Sequence, residues 1–221
     1  DVGDSMSRNN YYNGRFFTEY MFTLNDKHDF KFLAGLDMES NRYTSLGAAR
    51  ADLISPLVPS LNNATHKDVR PSFSNTQWAT MGAFGRINYA YDSRYLVEFS
   101  IRRDGSSRFI GDKTWSTFPS FALGWNIANE EFFKPLTKTV NTLKLRATYG
   151  ALGNTNIKAL YPWFLSQPAS ASASSWLVNG ERVNISNVPG LVSPNLTWES
   201  VRSWNIGLDF GMFNNKLQGT F

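Results

Sequence analysis

The 221-residue chain contains no cysteine, and it has only two histidines, His28 and His66. The lack of cysteine excludes a disulfide framework and any metal site built on thiolates. Neither histidine has a partner at metal-ligand spacing, so we expect both to be solvated residues of a turn and a loop. The sequence therefore predicts no metal site and no cofactor.

Long hydrophobic runs are also missing. No stretch approaches the about 20 apolar residues that a transmembrane helix requires, and the mean hydropathy is -0.34. The net charge is only +4, and the basic residues are spread along the chain instead of being clustered. These features argue against a helical membrane protein and against nucleic-acid binding.

Aromatic residues are abundant, at 15% of the chain, and many lie in segments where every second residue is apolar. Successive side chains of a strand point to opposite faces, so each such segment has one apolar and one polar face. Clear examples are Tyr95, Val97, Phe99 and Ile101; Leu143, Leu145, Ala147 and Tyr149; Trp204, Ile206, Leu208 and Phe210; and Phe30, Phe32, Ala34, Leu36 and Met38. This pattern predicts an all-β protein.

Eight strands are predicted from this alternation. They cover 15–24, 29–39, 77–91, 94–103, 116–127, 142–151, 200–211 and 216–221. The first has the weakest alternation, because Phe16 and Phe17 fall on opposite faces. The last runs to the end of the sequence, and we expect the chain to be an internal piece of a longer protein.

The predicted connections alternate between short and long. The short ones are 25–28, 92–93, 128–141 and 212–215, and the long ones are 40–76, 104–115 and 152–199. Outer-membrane barrels have short turns on one side of the membrane and long loops on the other. Asn25-Asp26, Asp92-Ser93 and Asn214-Asn215 suit tight hairpins. In 128–141, Asn129 is a candidate helix cap for Glu130-Glu131, a pair that we expect to lie in a solvated turn.

Charge sorting and aromatic placement favour a membrane setting. Charged side chains such as Lys31, Glu98 and Arg146 share the polar faces, and a lipid-facing Arg or Lys at mid-depth would cost about 2–4 kcal/mol. Aromatic residues gather near the short turns, as in the interfacial girdle of a barrel. A passive porin, or the barrel anchor of an adhesin, is one alternative. A soluble carbohydrate-binding β-sandwich is another, since it too sorts charges outward.

Specific strings then point to a family. They are GRINY at 85–89, YDSRYL at 91–96, RRDGSSRF at 102–109, WSTFPSFALGW at 115–125, LKLRATYGALGN at 143–154 and NLTWESVRSWNIGLDFGMFNN at 195–215. Together, in this order and spacing, they resemble the SusC/RagA class of TonB-dependent outer-membrane transporters. The resemblance covers roughly 82–221.

The resemblance implies an antiparallel transmembrane β-barrel of about 22 strands with a plug inside it. Residues 1–221 would be part of one such barrel domain, with the plug domain and the C-terminal strands outside this sequence. It further implies the Gram-negative cell outer membrane as location. The implied activity is import of glycans or peptides, with a SusD-like surface lipoprotein as lid and the TonB complex supplying energy.

No catalytic constellation is present, and we predict that the protein is not an enzyme. Asp104-Gly105-Ser106-Ser107 lacks the G-x-S-x-G pattern of a nucleophile elbow, and GALGN at 150–154 lacks the Lys-Ser/Thr ending of a phosphate loop.

Two sets of residues are candidates for contacts on the inside and at the mouth of the barrel. Trp163, Phe164 and Trp176 lie in an otherwise small and polar loop, where flat rings suit stacking on sugars or peptides; these three are the candidate ligand-binding residues. The polar-face residues Arg86, Glu98, Arg102, Lys144 and Arg146 are expected to form structural ladders and plug contacts.

Overall fold

The computed structural model describes residues 1–155, 160–161, 163–167, 169–170, 176–183, 185–192 and 195–221. Their main feature is a single eight-stranded sheet. Its strands are β1 (Val2–Leu24), β2 (His28–Arg50), β3 (Val69–Tyr91), β4 (Tyr95–Ser106), β5 (Trp115–Asn126), β6 (Val140–Asn154), β7 (Glu199–Met212) and β8 (Leu217–Thr220). All eight predicted strands are confirmed.

Each strand of the sheet pairs antiparallel with the next strand along the chain. Such a meander places successive connections at opposite ends of the sheet. The connections 25–27, 92–94, 127–139 and 213–216 therefore share one end, which we call the turn end. The connections 51–68, 107–114 and 155–198 share the other, the loop end.

The first three strands are much longer than predicted, and the expected loop at 40–76 is wrong. β1, β2 and β3 have 23 residues each, so β2 continues to Arg50 and β3 already begins at Val69. The added segments carry polar or small residues on both faces, such as Thr44-Ser45 paired with Ser74-Asn75. Because neither face is consistently apolar, alternation cannot reveal a strand there, although the backbone ladder continues.

Left-handed backbone builds the tight turns. Asn25 and Asp26 have φ of 52° and 53°, and Asp92 and Ser93 have 49° and 53°. Positive φ at both central residues is the geometry of a type I′ hairpin, which Asn and Asp tolerate. Asn214 and Asn215 are also left-handed. The three predicted hairpin turns are thus confirmed.

The 127–139 connection holds two short 3-10 helices, Ile127–Asn129 and Glu131–Leu136. No helix among the described residues is long and apolar enough to cross a membrane. The capping prediction for Asn129 is wrong, since the second helix begins after Glu130 without a side-chain cap. The Asn129 amide instead donates to the Ser93 carbonyl at 2.9 Å, which ties this connection to the neighbouring turn.

The sheet has no second layer among the described residues. Only Ala64, Phe109, Phe118 and Phe133 are buried hydrophobic residues there, whereas many apolar strand residues are exposed. A β-sandwich packs the apolar faces of two sheets against each other. The single layer of described residues does not form such a sandwich.

The described part of the 155–198 connection contains short strands that the sequence analysis missed. Leu177–Val178 pairs with Glu181–Arg182 around Asn179 and Gly180, both at positive φ. Asn-Gly is a strong hairpin signal, so this turn could have been predicted. Ala169–Ser170 pairs with Ile185–Ser186. Residues 156–159, 162, 168, 171–175, 184 and 193–194 of this connection lie outside the described residues.

Candidate functional site

The strand registers align the apolar residues of all the long strands on one face of the sheet. One cross-strand row is Phe22, Phe30, Tyr89, Val97, Leu123, Ala147 and Ile206. The next row is Tyr20, Phe32, Ile87, Phe99, Phe121, Tyr149 and Trp204. Neither row contains a charge, and Trp204 is 76% exposed. Across these two rows the face is an uncharged hydrophobic surface, and no second layer of described residues covers it.

Ion pairs join neighbouring strands on the opposite face. The Arg102 guanidinium of β4 lies 2.9 Å from the Asp37 carboxylate of β2, and its Nε donates to Asp104 at 2.7 Å. Gly82 of β3 lies beneath this group; a Cβ there would be 2.6 Å from Arg102 Nη2 and from Asp37 Oδ1. The absence of a side chain at Gly82 thus makes room for the charged cluster, which we call the Arg102 triad (Asp37, Arg102, Asp104).

The other candidate ladder residues also make cross-strand pairs, with one exception. Arg86 lies 3.7 Å from Glu98, and Arg146 lies 3.2 Å from Asp209. Lys144 makes no ion pair with any described residue. It lines a concavity of about 720 Å³ on this face. Other polar residues that line this concavity include Lys31, Asn88, Glu98, Arg146 and Thr148.

The turn end carries a buried carboxylate that the sequence analysis expected to be solvated. Glu130 is 7% exposed. It accepts the Trp125 indole N–H at 2.9 Å and lies 3.4 Å from Arg94. These hydrogen bonds, above all that from Trp125, lower the pKa of Glu130 despite its burial. Glu130 therefore acts as an ionised anchor between two turns, whereas Glu131 is exposed and pairs with Lys134 at 2.6 Å.

The loop end contains the Asp104-Gly105-Ser106-Ser107 string, and its hydroxyls have structural partners. Ser107 Oγ accepts the Ala79 N–H at 2.9 Å, and Ser106 Oγ accepts the Arg108 N–H at 3.3 Å. The backbone of Ser107 also donates to the Ala79 carbonyl. The string forms the end of β4 and its attachment to β3.

The candidate ligand-binding aromatics lie in the 155–198 connection. The Trp163 ring packs edge-on against both Tyr161 and Phe164, with centroid distances of 6.1 and 6.2 Å. The Tyr161 hydroxyl donates to the Gln77 carbonyl of β3. Phe164 and Trp176 are exposed. The structure thus brings Trp163 and Phe164 together beside β3, and places Trp176 next to the short hairpin.

A family model, TonB dependent receptor-like, beta-barrel, matches residues 2–221. The chain belongs to this family. Among its relatives are the TonB-dependent receptor P39 of Formosa agariphila, 34% identical over 91% of this chain, and the TonB-dependent receptor SusC of Bacteroides thetaiotaomicron, 39% identical over 62%. The chain spans only 19% and 13% of the lengths of these two relatives.

Solved structures with the same fold support this family membership. The RagAB peptide transporter matches with a TM-score of 0.84 and 24% identity over 98% of this chain and 23% of that chain. The RagAB peptide importer in its open-open state matches with 0.81 and 25% identity, over the same shares of the two chains. The resemblance to the SusC/RagA class is confirmed, and the sheet is an unclosed segment of a TonB-dependent receptor barrel.

As part of a TonB-dependent receptor barrel in the outer membrane, the sheet can be oriented. The face with the uncharged apolar rows is the lipid-facing surface, and the face with the ion pairs lines the lumen. A membrane-crossing strand needs about 9–11 residues. The 23 residues of β1, β2 and β3 therefore extend well past the bilayer. Since the apolar rows lie near the turn end, the extensions project from the loop end.

The structure also tests the predictions for the two histidines and for the GALGN string. His28 is the first residue of β2 and is half-buried, with Nδ1 2.9 Å from the Tyr89 hydroxyl, so the solvated-turn expectation is wrong for it. His66 lies in the exposed 51–68 connection, where its Nδ1 accepts the Asp68 N–H. GALGN at 150–154 is extended strand in β6, which is incompatible with a phosphate loop.

Proposed function

We propose that the chain is a wall segment of an outer-membrane transporter that imports glycans or peptides. The TonB complex energises the transport, and a SusD-like surface lipoprotein covers the mouth. Residues 1–221 form part of one barrel domain, and the plug domain and the C-terminal strands lie in other parts of the protein. The protein carries no catalytic function.

One observation carries this proposal: an exposed hydrophobic face with two uncharged apolar rows and an ion-paired face lie back to back on one sheet of a TonB-dependent receptor barrel. The hydrophobic face can contact lipid, and the ion-paired face forms a hydrated lining past which polar solutes can move. The Arg102 triad pairs its own charges, so this part of the lining holds its shape without depending on substrate. A solved relative is described as a peptide transporter, which supports peptides as one substrate class.

Substrate capture is assigned to the loop end. Trp163, Phe164 and Trp176 are proposed ligand contacts. Phe164 and Trp176 are exposed rings among small polar residues, where a flat ring provides large contact area at low entropic cost, and the half-buried Trp163 ring packs against Phe164. Phe164 is supported by Trp163, and that ring in turn by Tyr161, whose hydroxyl is bonded to β3. A platform fixed in this way loses little freedom when a ligand binds.

The test uses the full transporter in its native outer membrane. Cells lacking the gene, and the same cells complemented with it, are given labelled oligosaccharides and labelled oligopeptides, and binding and uptake are measured separately. We expect the complemented cells to accumulate one class. In cells without TonB, surface binding should remain while uptake stops. Uptake that continues without TonB would indicate a passive porin, and binding without uptake in energised cells would contradict transport.

A further inference from the structure

The 107–114 connection, which begins with Ser107-Arg108-Phe109, touches both ends of the longest connection, 155–198. Three of its residues make these contacts: Arg108, Phe109 and Thr114. We call these three residues the clamp. The 155–198 connection leaves the sheet after Asn154 of β6 and returns at Glu199 of β7, two residues that are paired in the ladder.

The first end is held by a charged side chain. Arg108 Nη1 donates to the carbonyl of Thr155, the first residue after β6, at 2.8 Å. The same guanidinium lies over the Trp78 ring of β3, 5.5 Å from its centroid. A guanidinium that stacks on a ring and donates to a carbonyl is fixed in orientation, and a hydrogen bond from a charged donor is stronger than a neutral one. Arg108 therefore connects the start of the connection to β3.

The second end is held by a packed ring. Trp198, the residue before β7, lies 5.5 Å from Phe109 and 5.6 Å from Phe118 between ring centroids. Its indole N–H donates to the Thr114 carbonyl at 3.3 Å. Phe109 and Phe118 are two of the few buried hydrophobic residues described. The small hydrophobic cluster at this end of the barrel thus fixes the end of the connection.

The clamp is itself firmly attached to the wall. Ser107 exchanges hydrogen bonds with the backbone of Ala79, and the Ser106 N–H donates to the Thr114 carbonyl at 3.0 Å. Ala79 lies next to Trp78 and two residues from Gln77, whose carbonyl accepts the Tyr161 hydroxyl. The clamp and the proposed aromatic platform therefore lie side by side near the loop end of β3.

We infer that the clamp positions the 155–198 connection toward β3, and so sets where the Trp163–Phe164 platform stands at the barrel mouth. Pairing of β6 with β7 alone would hold the two ends together without fixing their direction. Arg108 adds a contact with Trp78 of β3, and Trp198 adds contacts with Phe118 of β5 and with the 107–114 connection between β4 and β5. Arg108 and Trp198 are thus positioning residues for substrate capture; this last step rests on the proposed function.

The test combines a distance and an uptake measurement on the full transporter, with nitroxide labels at Gln167→Cys and Ser74→Cys. We expect Arg108→Ala and Trp198→Ala to shift or broaden the distance between the labels. The substrate concentration for half-maximal uptake should rise by about tenfold, equivalent to about 1.4 kcal/mol, with little change in the maximal rate. Trp198→Phe keeps the ring packing and should have a much smaller effect.

Arg103→Ala is the matched control. Arg103 lies 5.8 Å over the Trp115 ring at the same end of the barrel, yet it is on the lipid-facing side and the stack lies within β4 and β5. Heat-modifiable mobility on a gel verifies that each variant forms a barrel. Unchanged label distances in folded Arg108→Ala and Trp198→Ala would overturn the inference. The distances need no substrate, so a failure of the proposed function would show separately, as wild-type label distances without uptake of either substrate class.

Discussion

Removing the cation of the Arg102 triad should destabilise the barrel by about 1–3 kcal/mol. Arg102→Met would leave the carboxylates of Asp37 and Asp104, which are 19% and 16% exposed, without their shared guanidinium. Removing one partner of a buried pair costs about 3–5 kcal/mol, whereas exposed pairs contribute about 0–1 kcal/mol. Since the Arg102 side chain is 39% exposed, the expected loss lies between these limits.

The assay is urea unfolding of the purified full transporter in lipid vesicles. The variant Asp37→Asn, Arg102→Met, Asp104→Asn removes all three charges, and it should recover most of the stability that Arg102→Met alone loses. This follows because the cost comes from the two carboxylates that keep their charge, and less from the loss of attraction. The comparison separates the destabilisation caused by unpaired carboxylates from the destabilisation caused by losing the ion-pair contact.

Arg86→Met is the matched control for this prediction. The Arg86–Glu98 pair is longer, at 3.7 Å, and its side chains are 50% and 35% exposed, so we expect a loss below about 1 kcal/mol. The reasoning is refuted if Arg102→Met is no more destabilising than Arg86→Met, or if the triple variant is as unstable as Arg102→Met.

Three further predictions concern the turns and loops. Glu130 has a pKa below its ordinary value of 4.5, so its stabilising contribution is complete above about that pH and is lost as the pH falls through the lowered pKa. In melts from pH 7 to 3, the advantage of wild type over Glu130→Gln should shrink at the acid end, and a constant gap would contradict this. Ser93→Val should destabilise the barrel by about 1–2 kcal/mol, because Ser93 has left-handed backbone that a β-branched residue resists. Ser93→Gly is the control variant. Equal urea midpoints for Ser93→Val and wild type would contradict this prediction. Trp163→Ala combined with Trp176→Ala should weaken substrate binding at the cell surface without changing urea stability, and unchanged binding and uptake would rule out these ligand contacts.

The sequence predicted the parts of the fold that a lipid boundary imposes. In β4, Val97, Phe99 and Ile101 must face lipid and their neighbours water, so the period of two is visible in the sequence. The parts of β1, β2 and β3 near the loop end have water on both faces. The backbone hydrogen-bond ladder continues there without any alternation of apolar and polar residues. Strand prediction therefore failed where the strands project beyond the membrane.

The polar groupings depended on register, which composition does not reveal. Gly82, Asp37 and Arg102 are far apart in the sequence, and only the pairing of β2, β3 and β4 brings them together. Glu130 was expected in solvent because Glu usually is, and its contact with Trp125 arises from the path of the 127–139 connection. The position of Tyr161 on Gln77 depends in the same way on how a long connection folds back.

The central claim, that one face of this sheet contacts lipid and the other water, is tested most directly on β4. Single nitroxide labels at 96 to 101 in the full transporter, reconstituted in bilayers, report accessibility to oxygen, which concentrates in lipid, and to a water-soluble nickel chelate. Oxygen accessibility should peak at Val97, Phe99 and Ile101, with chelate accessibility highest at the alternate positions. Two profiles that rise and fall together, or that lack a period of two, would contradict the assignment of this strand to a barrel wall.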